Sequence, residues 1–201
     1  RQRFLMFFGS IQALITPFHK NEVDYDSFQK IIEWSIKQGS HGFVPCGTTG
    51  ESPTLNHDEH KKVVEECIRI VDKRVPVIAG TGSNSTSEAI EFTSHAEKAG
   101  ANGALLITPY YNKPTQNGLY DHFAAVAKET HLPIILYNVP GRTSVNMVPK
   151  TVHQLSDIKN VVGSKEDDCS LTQSSEIITR CGDDFNVLSG DDPLLFPILA
   201  I

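Results

Sequence analysis

Short apolar runs rich in β-branched residues recur along the chain, and each ends in polar punctuation. They are IQALITPF from Ile11, GFVPCG from Gly42, VPVIAGTG from Val75, GALLITPYY from Gly103, IILYNVP from Ile134, VVGSK from Val161 and FNVLSGDD from Phe185. They start roughly 25 to 33 residues apart, the length of one strand plus one crossover helix. Apolar character is nearly continuous within each run rather than alternating, as expected of parallel strands covered by helices on one side and core on the other. Helical patterns fill the gaps. In SFQKIIEWSIKQG, Phe28, Ile31, Ile32 and Ile36 fall at helical spacing and Gly39 stands where a C-terminal cap belongs. In STSEAIEFTSHAEKAG, Ser85 and Glu88 have the spacing of a capping box, and Gly100 closes the helix.

Alternating units of this kind predict an α/β fold, either a doubly wound open sheet or a (β/α)8 barrel. The strand ends favour the barrel. GTTGES, GTG, PYYNKP, YNVPGRT, SKED and SGDD all follow strands, so the polar chemistry gathers on one carboxyl-terminal rim, as in a barrel, instead of at a single switch point. Neither GxGxxG after the first strand nor GxxxxGK[ST] occurs, which removes the main support for dinucleotide and P-loop readings. Seven strands do not close an eight-stranded barrel, and DDPLLFPILAI reads as the start of another helix. The expectation is therefore a (β/α)8 TIM barrel over residues 9–201 that lacks its last strand and C-terminal helical region, preceded by a leader or tag-derived edge at residues 1–8.

Composition narrows the function classes. The 201 residues are 39% hydrophobic and 21% charged, ordinary globular values that permit a sizeable core. A net charge of −6 with scattered Lys and Arg argues against a nucleic-acid partner. Cys46, Cys67, Cys169 and Cys181 show no CxxC pair, which favours reduced thiols in a cytoplasmic compartment over disulfides or a metal thiolate site. No run approaches the roughly 20 apolar residues that span a bilayer, so no membrane partner is expected.

VVGSKED places Lys165 at the tip of a buried strand. Desolvation there disfavours the ammonium form, and a neutral amine can attack a carbonyl to form a Schiff base. The alternative is a strand-end lysine paired with Glu166, Asp167 or Asp168. Tyr137 is either a core tyrosine or a phenol placed to relay protons. Gly47 to Gly50, GTTG, is either a turn or a set of hydroxyl and backbone donors able to hold a carboxylate. His57 and His60 in HDEH are three apart with no HExxH and no third ligand, so a polar first helical turn is favoured over zinc.

Taken together, GTTGES (47–52), TLNHDEH (54–60), AGTGSNST (79–86), TPYYNKP (108–114), YNVPGRT (137–143) and LSGDD (188–192) resemble the dihydrodipicolinate synthase family of pyruvate-dependent class I aldolases. The resemblance runs from about Gly9 to the last residue. It implies a cytoplasmic lyase of lysine biosynthesis by the diaminopimelate route, one that condenses pyruvate with L-aspartate 4-semialdehyde and uses no metal or organic cofactor. It implies Lys165 as the imine-forming lysine, with Thr48, Tyr137 and Tyr111 as a proton relay in which Tyr111 enters from a neighbouring subunit of a homotetramer. Thr49, Gly190 and Arg142 would bind substrate, Thr49 the pyruvate carboxylate and Arg142 that of the semialdehyde. Ser52, His57, His60, Asn84, Glu88 and Tyr110 would form an allosteric L-lysine site, with Pro53 where some members have Ala.

The chain also departs from that family. Ser164 stands before the lysine where members carry a large apolar residue, and Asp167 and Asp168 follow Glu166 where they carry small ones. Extra carboxylates there favour the ammonium form and repel pyruvate. Two other readings follow: a related aldolase acting on N-acetylneuraminate or keto-sugar acids, which Arg142 and the Tyr110–Tyr111 pair disfavour, and a non-catalytic remnant that binds small carboxylates or pairs with a complete subunit.

Overall fold

Each apolar run forms a strand in the computed structural model, which describes residues 7–201. The strands are β1 (Ile11–Ala13), β2 (Phe18–His19), β3 (Glu22–Val23), β4 (Gly42–Val44), β5 (Ile78–Gly80), β6 (Gly103–Ile107), β7 (Ile134–Asn138), β8 (Val161–Glu166) and β9 (Asn186–Ser189). The helices are α1 (Tyr25–Lys37), α2 (His57–Val71), α3 (Thr86–Ala99), α4 (Gln116–Lys128), α5 (Pro140–Thr143), α6 (Pro149–Ser156), α7 (Leu171–Cys181) and α8 (Leu195–Ile198). β2 and β3 make a small antiparallel hairpin, and the other strands are staves of one parallel array.

The array runs β1-β4, then through the Phe43–Val77 bridge and the Gly80 amide on the Pro45 carbonyl (2.9 Å) to β5-β6-β7-β8-β9. Order in space follows order along the chain, as a barrel requires and a doubly wound sheet does not. Side chains therefore separate into an interior and an outer layer. Val44, Ile78, Leu105, Ile135 and Tyr137 pack inside the array, while Phe43, Leu106, Ile134 and Leu136 face the helices. Phe7 plugs the amino-terminal end, with its ring against Gly103 and its carbonyl accepting from Asn186 Nδ2 at 2.6 Å. Of the expected edge segment 1–8, residues 1–6 lie outside the described residues.

The helices follow their sequence signals, with one exchange. Phe28 and Ile32 are the fully buried face of α1, and Gly39 and Gly100 take the left-handed conformations that end α1 and α3. The complete capping box is at Asn56 and Glu59 of α2, each side chain 2.9 Å from the other's backbone N–H. Ser85 caps α3, but the Glu88 side chain turns to His57 and Ser83 instead of closing a box. Among the described residues no helix is long and apolar enough to cross a membrane.

Phe123 on α4 is wholly enclosed between that helix and the array, whereas Trp34 on α1 is exposed. Phe123→Ala should lower unfolding free energy by about 3–5 kcal/mol, and Trp34→Ala should change it by less than about 0.5 kcal/mol. Urea unfolding at constant m-value measures both; equal losses would contradict this division of core and surface.

Candidate active site

The pairing of β7 with β8 sets the geometry. Tyr137 lies opposite Lys165, and Lys165 in turn lies opposite Leu188 on β9. The register skips Val162, a β-bulge that restores the alternation so that Gly163, Lys165 and then Asp167 stand on the side of Ile135 and Tyr137. The Lys165 amine rests 4.2 Å from the centroid of the Tyr137 ring, and the Tyr137 hydroxyl donates to Asp167 Oδ2 at 3.1 Å. Gly190 follows β9 and leaves the room for this: a Cβ there would sit 2.8 Å from Lys165 Cε and 3.0 Å from Asp167 Cβ.

Burial lowers the Lys165 pKa, although Asp167 and Asp192 oppose the shift. The expected effect of the nearby carboxylates is thus real for Asp167 but weaker than desolvation. Asp168 turns away, its carboxylate accepting from the Ser170 amide at 3.3 Å. Burial pushes the Tyr137 phenol up to about 12, with Asp167 adding to the shift and Thr48 and Arg142 opposing it. The phenol is therefore a proton donor at rest. Cys46 and Cys67 are buried thiols whose pKa values rise, which makes them poor nucleophiles.

A cavity of about 280 Å³ opens beside Tyr137, bordered by Thr48, Ser52, Tyr110, Tyr137 and Arg142. Tyr137 joins the cavity to the lysine, since Lys165 is not itself in the lining. Thr49 is exposed outside it, and Tyr111 is 88% exposed with a left-handed φ of 70°. The structure thus brings Lys165, Tyr137, Thr48, Gly190 and Arg142 together and leaves Thr49 and Tyr111 outside.

The second group of residues is divided in the same way. His57 Nε2 pairs with Glu88 Oε1 at 2.7 Å, Ser83 Oγ bonds the other Glu88 oxygen, and the Asn84 carbonyl accepts from Asn112 at 3.4 Å. Ser52 and Tyr110 face the cavity. His60 is buried and stacks on Phe92 at 4.0 Å, and burial lowers its pKa to about 4. Among the described residues no three His, Cys, Asp or Glu side chains converge as a metal cage would require.

Sequence reasoning missed what lies behind the lysine. Ser164 and Glu166 point away from the barrel interior, toward the helices, and both are buried. Glu166 Oε2 accepts from Asn138 Nδ2 at 3.1 Å and Gln173 Nε2 at 3.4 Å, and Asn138 also donates to Asn146 at 2.8 Å. The network ties β7, β8, α7 and the segment after Arg142. The signal available was the alternation along β8, which puts one of two adjacent charged residues on each face.

The model of the Dihydrodipicolinate synthetase family matches residues 6–201. The 4-hydroxy-tetrahydrodipicolinate synthase of Thermodesulfovibrio yellowstonii is 57% identical over 98% of this chain and 67% of its own length. The crystal structure of dihydrodipicolinate synthase from Cyanidioschyzon merolae with lysine bound superposes with a TM-score of 0.95 at 41% identity, covering 97% of this chain and 67% of that one. The chloride-inhibited dihydrodipicolinate synthase from Acinetobacter baumannii complexed with pyruvate gives a TM-score of 0.93 at 48% identity, over 95% of this chain and 66% of that one. The fold is accordingly that of the (β/α)8 barrel, with seven of its parallel strands among the described residues, and the chain spans about two thirds of the length of these proteins.

Burial raises the Glu166 carboxyl to about 6 from 4.5, against the pull of its amide donors. Because the folded state holds this proton more tightly, the stabilisation is full below about pH 4.5 and is lost as pH rises through about 6. His60 and His122 act oppositely, since burial lowers both to about 4 and their contribution is lost as pH falls from 6.5. Comparing Glu166→Gln with the parent cancels the histidines. The variant should match the parent near pH 4 and exceed it by on the order of 2 kcal/mol above pH 7, read from urea unfolding at both pH values; a pH-independent difference would contradict the assignment.

Proposed function

The chain belongs to the dihydrodipicolinate synthetase family of lyases, and from that premise we propose that Lys165 forms a Schiff base with pyruvate and directs its condensation with L-aspartate 4-semialdehyde toward lysine and diaminopimelate. The observation that carries the reading is the Lys165 amine held over the Tyr137 ring with its pKa lowered by burial. A neutral amine adds to the keto carbon, water leaves, and the resulting iminium acidifies the pyruvate methyl. Tyr137, placed at the boundary of amine and cavity, handles protons for these steps, and Thr48 stands close enough to influence its hydroxyl. Arg142 at the cavity rim is a fork suited to the carboxylate of the second substrate.

Tyr111 fits the reading through assembly. The Tyr111 side chain is 88% exposed on a residue held in the left-handed region, so the backbone turns its ring outward from this chain. It is the group that a neighbouring copy would receive into its own site in a homotetramer.

Incubation with pyruvate and borohydride tests the chemistry. The intact chain should gain one reduced pyruvate adduct, mapped by peptide mass to Lys165, and Lys165→Arg should gain none. Tyr137→Phe should keep the adduct while slowing condensation about 10²–10⁴-fold. A folded chain that stays unlabelled would support the carboxylate-binding remnant instead, and product analysis with semialdehyde against N-acetylmannosamine separates the related aldolase.

A second site has its own support. Ser52 and Tyr110 border the cavity, His57 pairs with Glu88 at 2.7 Å, and the Cyanidioschyzon merolae relative was crystallised with lysine. We infer that L-lysine is held here, its ammonium by Glu88, with His60 beneath Phe92 as support rather than contact. Calorimetry should show heat with L-lysine that Glu88→Gln weakens at least tenfold in Kd; no heat with the parent removes the site.

A further inference from the structure

The Tyr137–Asp167 hydrogen bond has no part in the relay of Thr48, Tyr137 and Tyr111, yet the phenol of Tyr137 donates to Asp167 while Thr48 acts on the same hydroxyl. Asp167 is fixed for the task. Its amide donates to the Asn138 carbonyl at 2.9 Å, which extends the β7–β8 ladder by one residue, and Gly190 packs against its Cβ and Cγ. Those contacts place a carboxylate on the interior side, two residues beyond the lysine and within reach of the phenol that the lysine touches.

A relay that removes a proton from carbon needs a group that can keep the proton. A threonine hydroxyl such as Thr48 can pass one along but does not hold a second at ordinary pH, and a phenol held protonated by burial can accept only if it gives up its own. Tyr111, in this chain, is directed to solvent. Asp167 is a carboxylate already bonded to the phenolic proton.

We propose that Asp167 is the acceptor to which Tyr137 delivers its proton when the Lys165–pyruvate iminium becomes an enamine, so that one subunit carries a complete Lys165–Tyr137–Asp167 relay. This rests on the Schiff-base reading above. In the step, a methyl C–H bond of the bound pyruvate breaks and its electron pair forms the C=C bond as the C=N pair moves onto nitrogen. The methyl proton goes to the Tyr137 oxygen while the phenolic proton moves to Asp167 Oδ2, leaving a neutral acid and a neutral enamine. When the enamine attacks the aldehyde, the new alkoxide takes the proton back through Tyr137 and Asp167 is again a carboxylate. No oxidant or reductant enters.

Exchange of the pyruvate methyl protons with deuterium oxide, followed by NMR without aldehyde, reads the enamine step alone, and borohydride trapping counts the imine. For Asp167→Asn, trapping should stay within twofold of the parent while exchange per trapped imine falls about 100-fold or more. The double variant with Tyr137→Phe should lose no more than Tyr137→Phe alone, since the two groups act in one chain. Asp168→Asn, whose parent side chain faces the Ser170 amide, should exchange like the parent. Circular dichroism checks folding of each variant, and if Asp167→Asn does not fold the same readings are taken on Asp167→Ala. Parent chain that traps pyruvate, together with an Asp167 variant that exchanges as fast per imine, overturns this proposal alone. Parent chain that traps nothing overturns the Schiff-base reading and this one with it.

Discussion

The parallel pairing of β7 with β8 is the constraint on which the site depends. It places Tyr137 beside Lys165, it carries Asp167 one rung further to meet the phenol, and it leaves the amine among apolar strand neighbours where hydration is poor. The directions of Tyr137 and Lys165 are set by the pleat and by the bulge at Val162, and the Asp167 amide on the Asn138 carbonyl carries the same alternation one residue past the strand. Packing on both sides then defends the register. A one-residue slip of β8 would send Lys165 among Leu136 and the helices and bring Glu166 into the barrel.

Much of this was legible in the sequence because it obeys simple periods. Seven apolar runs became seven parallel strands in chain order, and Gly39 and Gly100 ended helices where their positions implied. The lysine, the tyrosine and the glycine of LSGDD could be read as neighbours because each ends a strand on the same rim. What could not be read depends on side-chain direction over distances the sequence does not encode. Glu88 had the spacing of a capping residue, yet its carboxylate is drawn 31 residues away to His57. His60 had the look of a surface turn residue, but the helical face it occupies is the one packed on Phe92. Asp167 and Asp168 are adjacent and chemically identical. Only the pleat decides that the first meets the phenol and the second a backbone amide.

The same strand also carries charge on both faces in an ordered way. Lys165 points into the barrel and Glu166 outward, and burial shifts each toward its neutral form. They do not form an ion pair, as neighbours on one strand face opposite sides. Glu166 instead binds amides from β7 and α7, which makes the wall behind the lysine a polar brace rather than an oil layer. A brace of that kind suits the proposed Schiff-base chemistry, which needs the strand to stay fixed while its interior side reacts.

Asp167 bears on the amine and the phenol in opposite senses, and the balance between them decides what its presence costs. Toward Lys165 it favours the ammonium and so works against nucleophilic attack. Once the iminium has formed, however, the positive charge is fixed on nitrogen and no longer depends on protonation. In the proposed chemistry the same carboxylate then stands bonded to the phenol that accepts the methyl proton, and taking up the phenolic proton neutralises carboxylate and iminium in one step. Asp167 thus works weakly against the amine and, in the proposed relay, for the enamine step. Desolvation dominates the lysine even with Asp167 and Asp192 nearby, so the carboxylate that looked adverse in the sequence does not by itself hold the amine in its charged form.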